Sequence, residues 1–440
     1  MPSMKFTSAG KYKYGRNKFF LGVSSLLRRS VGVKLRRHGI IISSSGGGKG
    51  ACLLSQNLFR WKHNALTIDP KGELSELTAV YRQKKFKQNS YVIDPFKEAK
   101  KLPDEFRVSY NPLSDIDINA PNIVEDINVI SDGLIMRHEP RHAMWDNHAH
   151  NIISGVIALV KCDAPPELQT LSEVRKVIRT SDLQHMAKTH MQDDTRCGGT
   201  IQTAAKSILC AKGDEYISNA EENTRWLDSD PMVTTHGTAS FSLSDLKEKK
   251  TSVYLVLPPN YLKQHGRFLR VFVRCAIDQM SRRTKDGKEK GRECLFLLDE
   301  MPACGTIDEI STSYGLLRSR GLHLISVLQN YGQFLSLYGK DGTANFFSGA
   351  DFQSYFGVDD IDTLEYLSNL IGTRESAGLF GVDKEFVGRR LMTPQEIRKH
   401  IAVREKDDVA RRMIVIARGD DVLSLRPKPY FKDRRFKKYG

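Results

Sequence analysis

Long apolar runs are absent from this 440-residue chain. A membrane-spanning helix needs about 20 consecutive apolar residues. The longest early stretch, residues 19–27, is too short and runs directly into Arg28 and Arg29. It also lacks a small-residue cleavage site, which argues against a signal peptide. The sequence therefore predicts a cytoplasmic protein without a transmembrane segment in this chain.

Cysteine pairs at metal-binding spacing are also missing. The seven cysteines are scattered along the chain, and no two of them form a Cys-x-x-Cys pair. An odd number without paired spacing argues against a disulfide framework and against a structural zinc site. We therefore expect reduced thiols.

Acidic side chains are missing from the start of the chain. Residues 1–38 contain ten Lys and Arg but no Asp or Glu, and residues 426–440 contain seven Lys and Arg against Asp433 alone. The remaining residues, 39–425, carry 50 basic and 51 acidic side chains, a net charge of −1. The formal charge of +15 therefore lies in two basic ends, which would attract phosphates or anionic lipid.

The apolar pattern that is present predicts an α/β fold. Short, mostly continuous apolar runs are typical of strands buried on both faces of a parallel sheet. Helical stretches separate several of these runs, which is the order found with a mostly parallel sheet. The predicted strands are residues 39–42, 65–68, 91–93, 253–257, 295–298, 323–328 and 413–416, and the predicted helices between them include 50–61, 73–82, 261–280 and 307–320.

Strand-like runs nearly vanish between residue 111 and about residue 245, where helical periodicity dominates. We interpret residues 112–245 as an all-α subdomain inserted into the α/β domain. The predicted organisation is a basic arm (1–18), an α/β domain in two parts (19–111 and 246–425) around that insertion, and a basic tail (426–440).

The strongest local feature is the glycine-rich segment Ser43-Ser-Ser-Gly-Gly-Gly-Lys-Gly50, which lies between a predicted strand and a predicted helix. Backbone amides of such a loop can surround phosphate oxygens, and the helix N-terminus adds positive potential. Lys49 would reach the β- and γ-phosphates. The strict P-loop pattern is missed twice, because Ser43 replaces its first Gly and Gly50 replaces its Mg²⁺-binding hydroxyl.

A glycine-rich hairpin or linker is the alternative to a phosphate-binding loop. The flanking strand and helix favour phosphate binding, since the motif requires both of them. The residues predicted to bind the nucleotide are Ser44, Ser45, Gly46, Gly47, Gly48, Lys49, Gly50 and Ala51.

A buried strand that ends in two carboxylates, Asp299 and Glu300, is the second feature. Asp299 is placed to hold Mg²⁺ through water, and Glu300 to polarise the water that attacks the γ-phosphate. A cap or surface turn is the alternative, but the upstream Lys49 loop favours an NTPase acidic pair. Because residue 50 lacks a hydroxyl, Mg²⁺ coordination would depend more on Asp299 and water, or on a serine among residues 43–45.

The third feature is Gln329, at the end of the strand that follows the predicted helix with Arg318 and Arg320. A polar residue at the tip of a strand next to the acidic pair is placed to sense the γ-phosphate. Taken alone, Gln329 would be interpreted as a surface amide. Together with the loop and the acidic pair, it is predicted to be the sensor.

In this order the motifs resemble those of the coupling-protein ATPases of conjugative type IV secretion, RecA-like motors that deliver DNA or protein substrates to the channel. Members of that family also commonly carry Gly after the loop lysine. The matching landmarks span about residues 19–436: the strand 19–23, the loop 45–50, Asp69-Pro-Lys-Gly-Glu73, Val92-Ile-Asp-Pro-Phe96, Tyr254-Leu-Val-Leu-Pro-Pro259, Leu298-Asp-Glu-Met-Pro302 with Gly305, Arg318, Gln329, Phe356-Gly-Val358, and Arg426-Pro-Lys-Pro-Tyr-Phe-Lys-Asp433.

The resemblance implies a RecA-like P-loop NTPase domain that hydrolyses ATP with Mg²⁺ and assembles as a homo-hexameric ring. It implies that Arg318 of one subunit reaches the γ-phosphate bound by the next, with Arg320 as the competing candidate. It also implies partners: DNA, a relaxase, relaxosome or protein substrate held by residues 112–245, and the ATPases of the secretion channel. The expected location is the cytoplasmic face of the inner membrane, although the N-terminal anchor usual in the family is not found in this sequence.

Two other functions remain open on the sequence. The chain could be a nucleotide-binding platform that recruits substrates with little turnover. It could also be a chromosomal DNA pump or helicase of the same fold, which we rank lower because residues 69–73 and 258–259 match the secretion branch.

Overall fold

An eleven-stranded sheet forms the centre of the protein. The computed structural model describes residues 8–25, 28–136, 143–237, 239–312, 314–374, 389–404, 409–417 and 421–439. The strands of this sheet are β1 Phe19–Ser24, β2 Ser30–Val33, β3 His38–Ile42, β4 Asn64–Ile68, β5 Asn89–Ile93, β6 Thr251–Leu255, β7 Cys294–Leu298, β8 Leu322–Leu328, β9 Phe352–Tyr355, β14 Met413–Ala417 and β15 Asp421–Arg426. Two separate two-stranded sheets are formed by β10 Thr373–Arg374 with β11 Arg389–Arg390, and by β12 Val403–Arg404 with β13 Val409–Ala410.

The strand order is β2-β1-β15-β14-β9-β3-β8-β7-β4-β6-β5. The strands from β9 to β5 pair in parallel, and β14, β15, β1 and β2 extend the sheet in antiparallel fashion. Strands β3, β4, β6, β7 and β8 are buried at every position, which explains their continuous apolar sequences. The predicted α/β class with a mostly parallel central sheet is confirmed.

Helices cover both faces of the sheet, and two apolar clusters fill the space beneath them. None of the described helices is long and apolar enough to cross a lipid bilayer. The helices are α1 Ser55–Arg60, α2 Glu73–Phe86, α3 Ile123–Leu134, α4 Ala143–Asp163, α5 Leu171–Ile178, α6 Leu183–Met186, α7 Arg196–Leu209, α8 Gly213–Thr224, α9 Asp230–Thr235, α10 Asp245–Glu248, α11 Leu262–Ser281, α12 Asp308–Thr312, α13 Tyr314–Ser319, α14 Tyr331–Ser348, α15 Ile361–Ile371 and α16 Pro394–Ile401.

Helices α3 to α9 follow β5 and precede β6, and the described residues within 112–245 contain no strand. Helix α3 packs on α11 of the α/β part, where a Cβ at Gly133 would lie 2.9 Å from the Cα of Val271. The small residue therefore lets the two helices approach closely. Their apolar side chains join the core on one face of the sheet. These helices lie where the sequence predicts an inserted all-α subdomain. The domain boundaries stay a prediction.

The two basic ends of the chain meet at the C-terminal end of α1. Phe436 stacks on Phe59 with ring centroids 4.8 Å apart. Arg60 forms an ion pair of 2.8 Å with Asp433, and its guanidinium carbon lies 5.2 Å from the centroid of the Tyr14 ring. The described parts of both ends therefore dock on the α/β domain.

Arg82 stabilises the C-terminal end of α1 through hydrogen bonds to its carbonyl groups. Its buried guanidinium donates to the carbonyl oxygens of Leu58 (2.6 Å), Trp61 (2.8 Å) and His63 (2.6 Å), and to Ser252 Oγ (2.8 Å). Carbonyl groups at a helix C-terminus lack intrahelical donors and carry partial negative charge. The Arg82 guanidinium therefore supplies hydrogen-bond donors to carbonyl groups at the end of α1 and in the chain that follows it.

We expect Arg82→Lys to lower the free energy of unfolding by about 3 kcal/mol, because a single ammonium cannot replace the fork of donors and buried carbonyls lose their partners. Urea denaturation of the nucleotide-free protein measures the change. Arg283→Lys, at an exposed arginine, is the matched control and should remain within about 0.5 kcal/mol of wild type. Equal stability of the two variants would contradict this role for Arg82.

Candidate active site

Three parallel strands bring the predicted site residues to one edge of the sheet. Strand β3 leads into the glycine-rich loop, β7 ends before Asp299 and Glu300, and β8, which lies between them, ends before Gln329. The carboxyl ends of parallel strands share an edge, where ligands of open α/β sheets bind. A cavity of about 400 Å³ opens there, lined by Ser45, Gly46, Gly48, Lys49, Gly50, Ala51, Pro70, Lys71, Glu73, Pro259, Leu262, Asp299, Glu300 and Gln329.

Glycine is required in the loop for two different reasons. Gly46 and Gly48 have φ of +80° and +88°, a region that side chains with a Cβ rarely adopt. Gly47 faces the protein, where a Cβ would lie 2.3 Å from Ser43 Oγ. Ser44 also faces inward, and its hydroxyl donates to the carbonyl oxygen of Gly357.

Six of the eight predicted nucleotide-binding residues thus line the cavity, while Ser44 and Gly47 fix the loop against the segment after β9. Among the serines of residues 43–45, Ser45 is the one that lines the cavity. A Cβ at Gly50 would meet nothing within 4 Å. Packing therefore does not account for the missing hydroxyl at position 50.

The chain enters a helix at the end of this loop. Residues Gly50–Leu54 form a π-helical turn that continues into α1. Cys52 N of this turn donates to Gly48 O in the loop at 2.9 Å, and Ser55 Oγ at the start of α1 donates to Gly50 O at 2.8 Å. The free backbone amides of the first turn and the helix dipole favour an anion at this point.

Lys49 lies between the two carboxylates of the acidic pair. Its Nζ is 3.2 Å from Asp299 Oδ1 and 3.7 Å from Glu300 Oε2. Burial raises the pKa of Asp299, and the charge of Lys49 opposes that rise. Glu300 has a φ of +63°, a strained conformation of the kind found at functional sites.

Gln329 is hydrogen-bonded to Glu300 of the acidic pair. Its Nε2 lies 3.0 Å from both carboxylate oxygens of Glu300. Gln333, in the first turn of α14, supports this contact, because its Oε1 accepts from Gln329 N at 2.8 Å and its Nε2 lies 3.4 Å from Glu300 Oε1. Gln333 was not among the predicted site residues, although Asn330, which caps α14 and accepts from Gln333 N, is a recognisable helix-start signal.

Asp69, at the end of β4, was not among the predicted site residues; it does not line the cavity, but the two residues that follow it, Pro70 and Lys71, do. It accepts a hydrogen bond of 2.7 Å from Ser75 N. Burial raises its pKa to about 7, and the charge of Asp299 adds to the rise. The available signal was its place directly after a strand of the same parallel sheet. Lys71, two residues later, is exposed and lines the cavity.

Arg318 is not brought to the cavity within one chain. It lies exposed on α13, and the cavity walls do not include it. Arg320, the competing candidate, is partly buried with Nη1 3.9 Å from Glu289 Oε1. A role for either arginine in the reaction would require a second subunit.

The residues present fit a hydrated Mg²⁺. Among the described residues, no group of three or more His, Cys, Asp and Glu could hold a metal ion by itself. Mg²⁺ needs few protein ligands, because it keeps several waters and takes phosphate oxygens. The buried Asp299 Oδ1 at the cavity has the ion pair with Lys49 but no hydrogen bond of good geometry. It is therefore a hard oxygen atom that could serve as a ligand beside the glycine-rich loop.

The chain is similar to proteins named for conjugal transfer and to VirD4 proteins. The chain is 25% identical to the conjugal transfer protein TraG of Rhizobium radiobacter over 82% of its own length and 58% of that protein. It is 23% identical to the protein VirD4 of Agrobacterium fabrum over 91% of its own length and 60% of that protein. The chain thus spans about three fifths of the length of these relatives.

Solved structures show the same fold. The chain is similar to the trigonal form of the bacterial conjugative coupling protein TrwBdeltaN70 in complex with sulphate, with a TM-score of 0.71 and 15% identity over 97% of this chain and 95% of that one. It is also similar to the plasmid coupling protein TrwB in complex with the ATP analogue ADPNP, with a TM-score of 0.64 and 16% identity over 98% and 95% of the two chains. These likenesses confirm the predicted RecA-like α/β class.

The family described as Type IV secretory system Conjugative DNA transfer matches residues 5–440. The match includes the loop, the acidic pair, Gln329 and the helices between β5 and β6. The resemblance that the sequence motifs indicated is confirmed, and this chain belongs to the type IV secretory system conjugative DNA transfer family.

Proposed function

We propose that this chain is the ATP-hydrolysing motor of a type IV secretion coupling protein, which passes DNA with its relaxase, or protein substrates, to the secretion channel. The observation that carries the proposal is the cavity where Lys49 lies between Asp299 and Glu300 at the end of the glycine-rich loop. Family membership supports the transport role. The nucleotide complexes of TrwB support ATP as the ligand.

ATP binding would use groups that already face the cavity. The loop amides and Lys49 would take the phosphates, with the Lys49 ammonium exchanging its carboxylate partners for phosphate oxygens. Pro259 and Leu262 provide apolar surface on the same cavity, against which the base could pack. Asp299 would hold Mg²⁺ through water. When bound, Mg²⁺ supplies charge compensation for the β- and γ-phosphates.

Hydrolysis would use Glu300 as the group that polarises the attacking water. Gln329 Nε2 holds both carboxylate oxygens of Glu300, which fixes the direction of the carboxylate. The same amide lies at the cavity wall, where it could exchange Glu300 for a γ-phosphate oxygen. That exchange would make Gln329 the sensor of whether the γ-phosphate is present.

The partners belong to the same proposal. The helices within residues 112–245 would contact the relaxase, the relaxosome or protein substrates, and the motor would work with the ATPases of the secretion channel. The place of action would be the cytoplasmic face of the inner membrane. ATPase activity measured with and without DNA separates this motor from a recruitment platform, because only the motor should be stimulated by DNA.

Lys49→Ala should weaken binding of a fluorescent ATP analogue by about 100-fold, because about 3 kcal/mol of charge-assisted contact to phosphate is lost. Titration monitored by fluorescence measures the affinity, and circular dichroism verifies folding. Lys263→Ala, at an exposed lysine that does not line the cavity, should bind like wild type. Unchanged affinity of the Lys49 variant would exclude the loop as the phosphate site.

Glu300→Gln should keep ATP affinity near that of wild type and slow hydrolysis by about 10² to 10⁴, the contribution of a positioned acid–base group. Phosphate release under saturating ATP measures the rate. Glu222→Gln, at an exposed carboxylate, is the control and should hydrolyse normally. Normal turnover by the Glu300 variant would show that another residue activates the water.

Arg318→Ala should bind ATP normally and lose turnover by about 10³ or more if it completes the site of a neighbouring subunit in a ring. Mixing it with Lys49→Ala protein should restore activity, because hybrid interfaces then combine an intact Arg318 with an intact Lys49. Arg320→Ala serves as the comparison variant. A mixture that stays inactive although the two variants co-assemble would contradict this role for Arg318.

A further inference from the structure

A second cavity, of about 540 Å³, lies where the two basic ends of the chain meet. Its walls come from residues 14–18 before β1, residues 59–63 at the end of α1, the last turns of α2, and residues 435–439 of the tail. It shares no lining residue with the ATP cavity. Its volume is within the range of small-molecule sites.

The lining of this cavity is cationic. It contains no Asp or Glu among the described residues. Arg60 and Arg435 share one carboxylate, Asp433, with which each forms an ion pair of 2.8 Å. Five other cations of the lining have no carboxylate within 4.0 Å in the described part of the chain: Arg16, Lys18, Lys62, Lys85 and Lys438.

Aromatic rings form much of the remaining wall. Tyr14, Tyr81, Phe86 and Tyr439 are partly exposed in the cavity, above the buried Phe59, Trp61 and Phe436. Tyr439 packs edge-on against Tyr81, with centroids 5.1 Å apart, and lies 5.5 Å from Phe59. The rings are therefore held in place by one another.

We propose that this cavity binds single-stranded DNA, with a base on the aromatic wall and the neighbouring phosphates on the five unneutralised cations. Aromatic platforms within a basic groove are what single-stranded nucleic acid requires. The inference rests on the proposed DNA-transport function and adds to it a site on this chain.

Two features favour a DNA strand over an anionic membrane. A membrane surface takes up apolar side chains that protrude, whereas these rings line a concave wall. The five cations lie on four different segments of the chain. That spread suits consecutive phosphates of a strand more than a single headgroup.

The cavity is also linked physically to the ATP site. The helical segment that begins at Gly50 in the ATP-binding loop ends at Arg60 in this cavity. Eleven residues of helix span about 16 Å at 1.5 Å per residue. DNA bound here would therefore contact the far end of the helix whose first turn faces the nucleotide.

The first test measures the salt dependence of binding to a labelled oligothymidylate by fluorescence anisotropy without nucleotide. The double variant Lys62→Ala/Lys85→Ala should bind more weakly and show a log–log salt slope shallower by about 1.4, or 0.7 for each phosphate contact. The matched control, Lys285→Ala/Lys399→Ala, removes two exposed lysines that do not line the cavity. Equal slopes for the two double variants would overturn the proposal.

The second test distinguishes contacts of the protein with DNA bases from its contacts with phosphates. Wild-type protein should bind oligothymidylate at least about fivefold more tightly than an abasic strand of equal length, the lower limit for one base–aromatic stack. Tyr439→Ala should remove that difference without changing the salt slope, and Tyr439→Phe should retain it. Equal affinity of wild type for the two strands would overturn the proposal.

Sedimentation with phosphatidylglycerol vesicles identifies the membrane alternative. Vesicle binding that is lost in the Lys62/Lys85 double variant, with no oligothymidylate binding by wild type, would overturn the DNA site. ATP hydrolysis without DNA is measured on the same proteins. If wild type does not hydrolyse ATP but the DNA results are as expected, the proposed motor function is wrong and the DNA site is supported. If wild type hydrolyses ATP but the DNA results are not as expected, the motor function is supported and the DNA site is wrong.

Discussion

The contact of Lys49 with Asp299 and Glu300 is the interaction on which the active site depends. All three groups are largely buried, so removing one charge would leave another unpaired in a poorly hydrated place. The contact exists only because β3, β8 and β7 are adjacent and parallel, which brings a loop and a strand end separated by some 250 residues to one edge. The contact between the three charged groups therefore depends on this order of the strands in the sheet.

Most of the parallel part of the sheet could be predicted from the sequence, because strands buried on both faces read as continuous apolar runs. The exception is β9, which is buried at every position but contains Gln353 and Ser354. The prediction missed β2, β9 and β15 of the large sheet and the four two-residue strands β10 to β13. β15 alternates between buried and partly exposed positions and contains Asp421 and Arg426, so its apolar run is interrupted. Helix α14 was missed because it contains three glycines, and Gly339 within it has a φ of +65°. Tertiary packing overrides local propensity there.

Within the site, residues at strand ends could be predicted and residues that act through tertiary contact could not. Lys49, Asp299, Glu300 and Gln329 each follow a predicted strand, and the structure brings them together. Gln333 reaches Glu300 only because α14 turns back over the end of β8. Asp69 acquires its raised pKa from burial, which a sequence does not report.

The guanidinium of Arg82 has a consequence for how the protein responds to its surroundings. Its partners at the end of α1 are carbonyl oxygens and a hydroxyl, none of which titrates, and arginine itself stays protonated in proteins. Because the contact is buried, dissolved salt screens it little. Burial lowers the pKa of Arg82, but acidification keeps the guanidinium protonated, so the helix that starts beside Lys49 is anchored in a way that acid does not alter and salt alters little. Asp69, by contrast, changes charge near neutral pH.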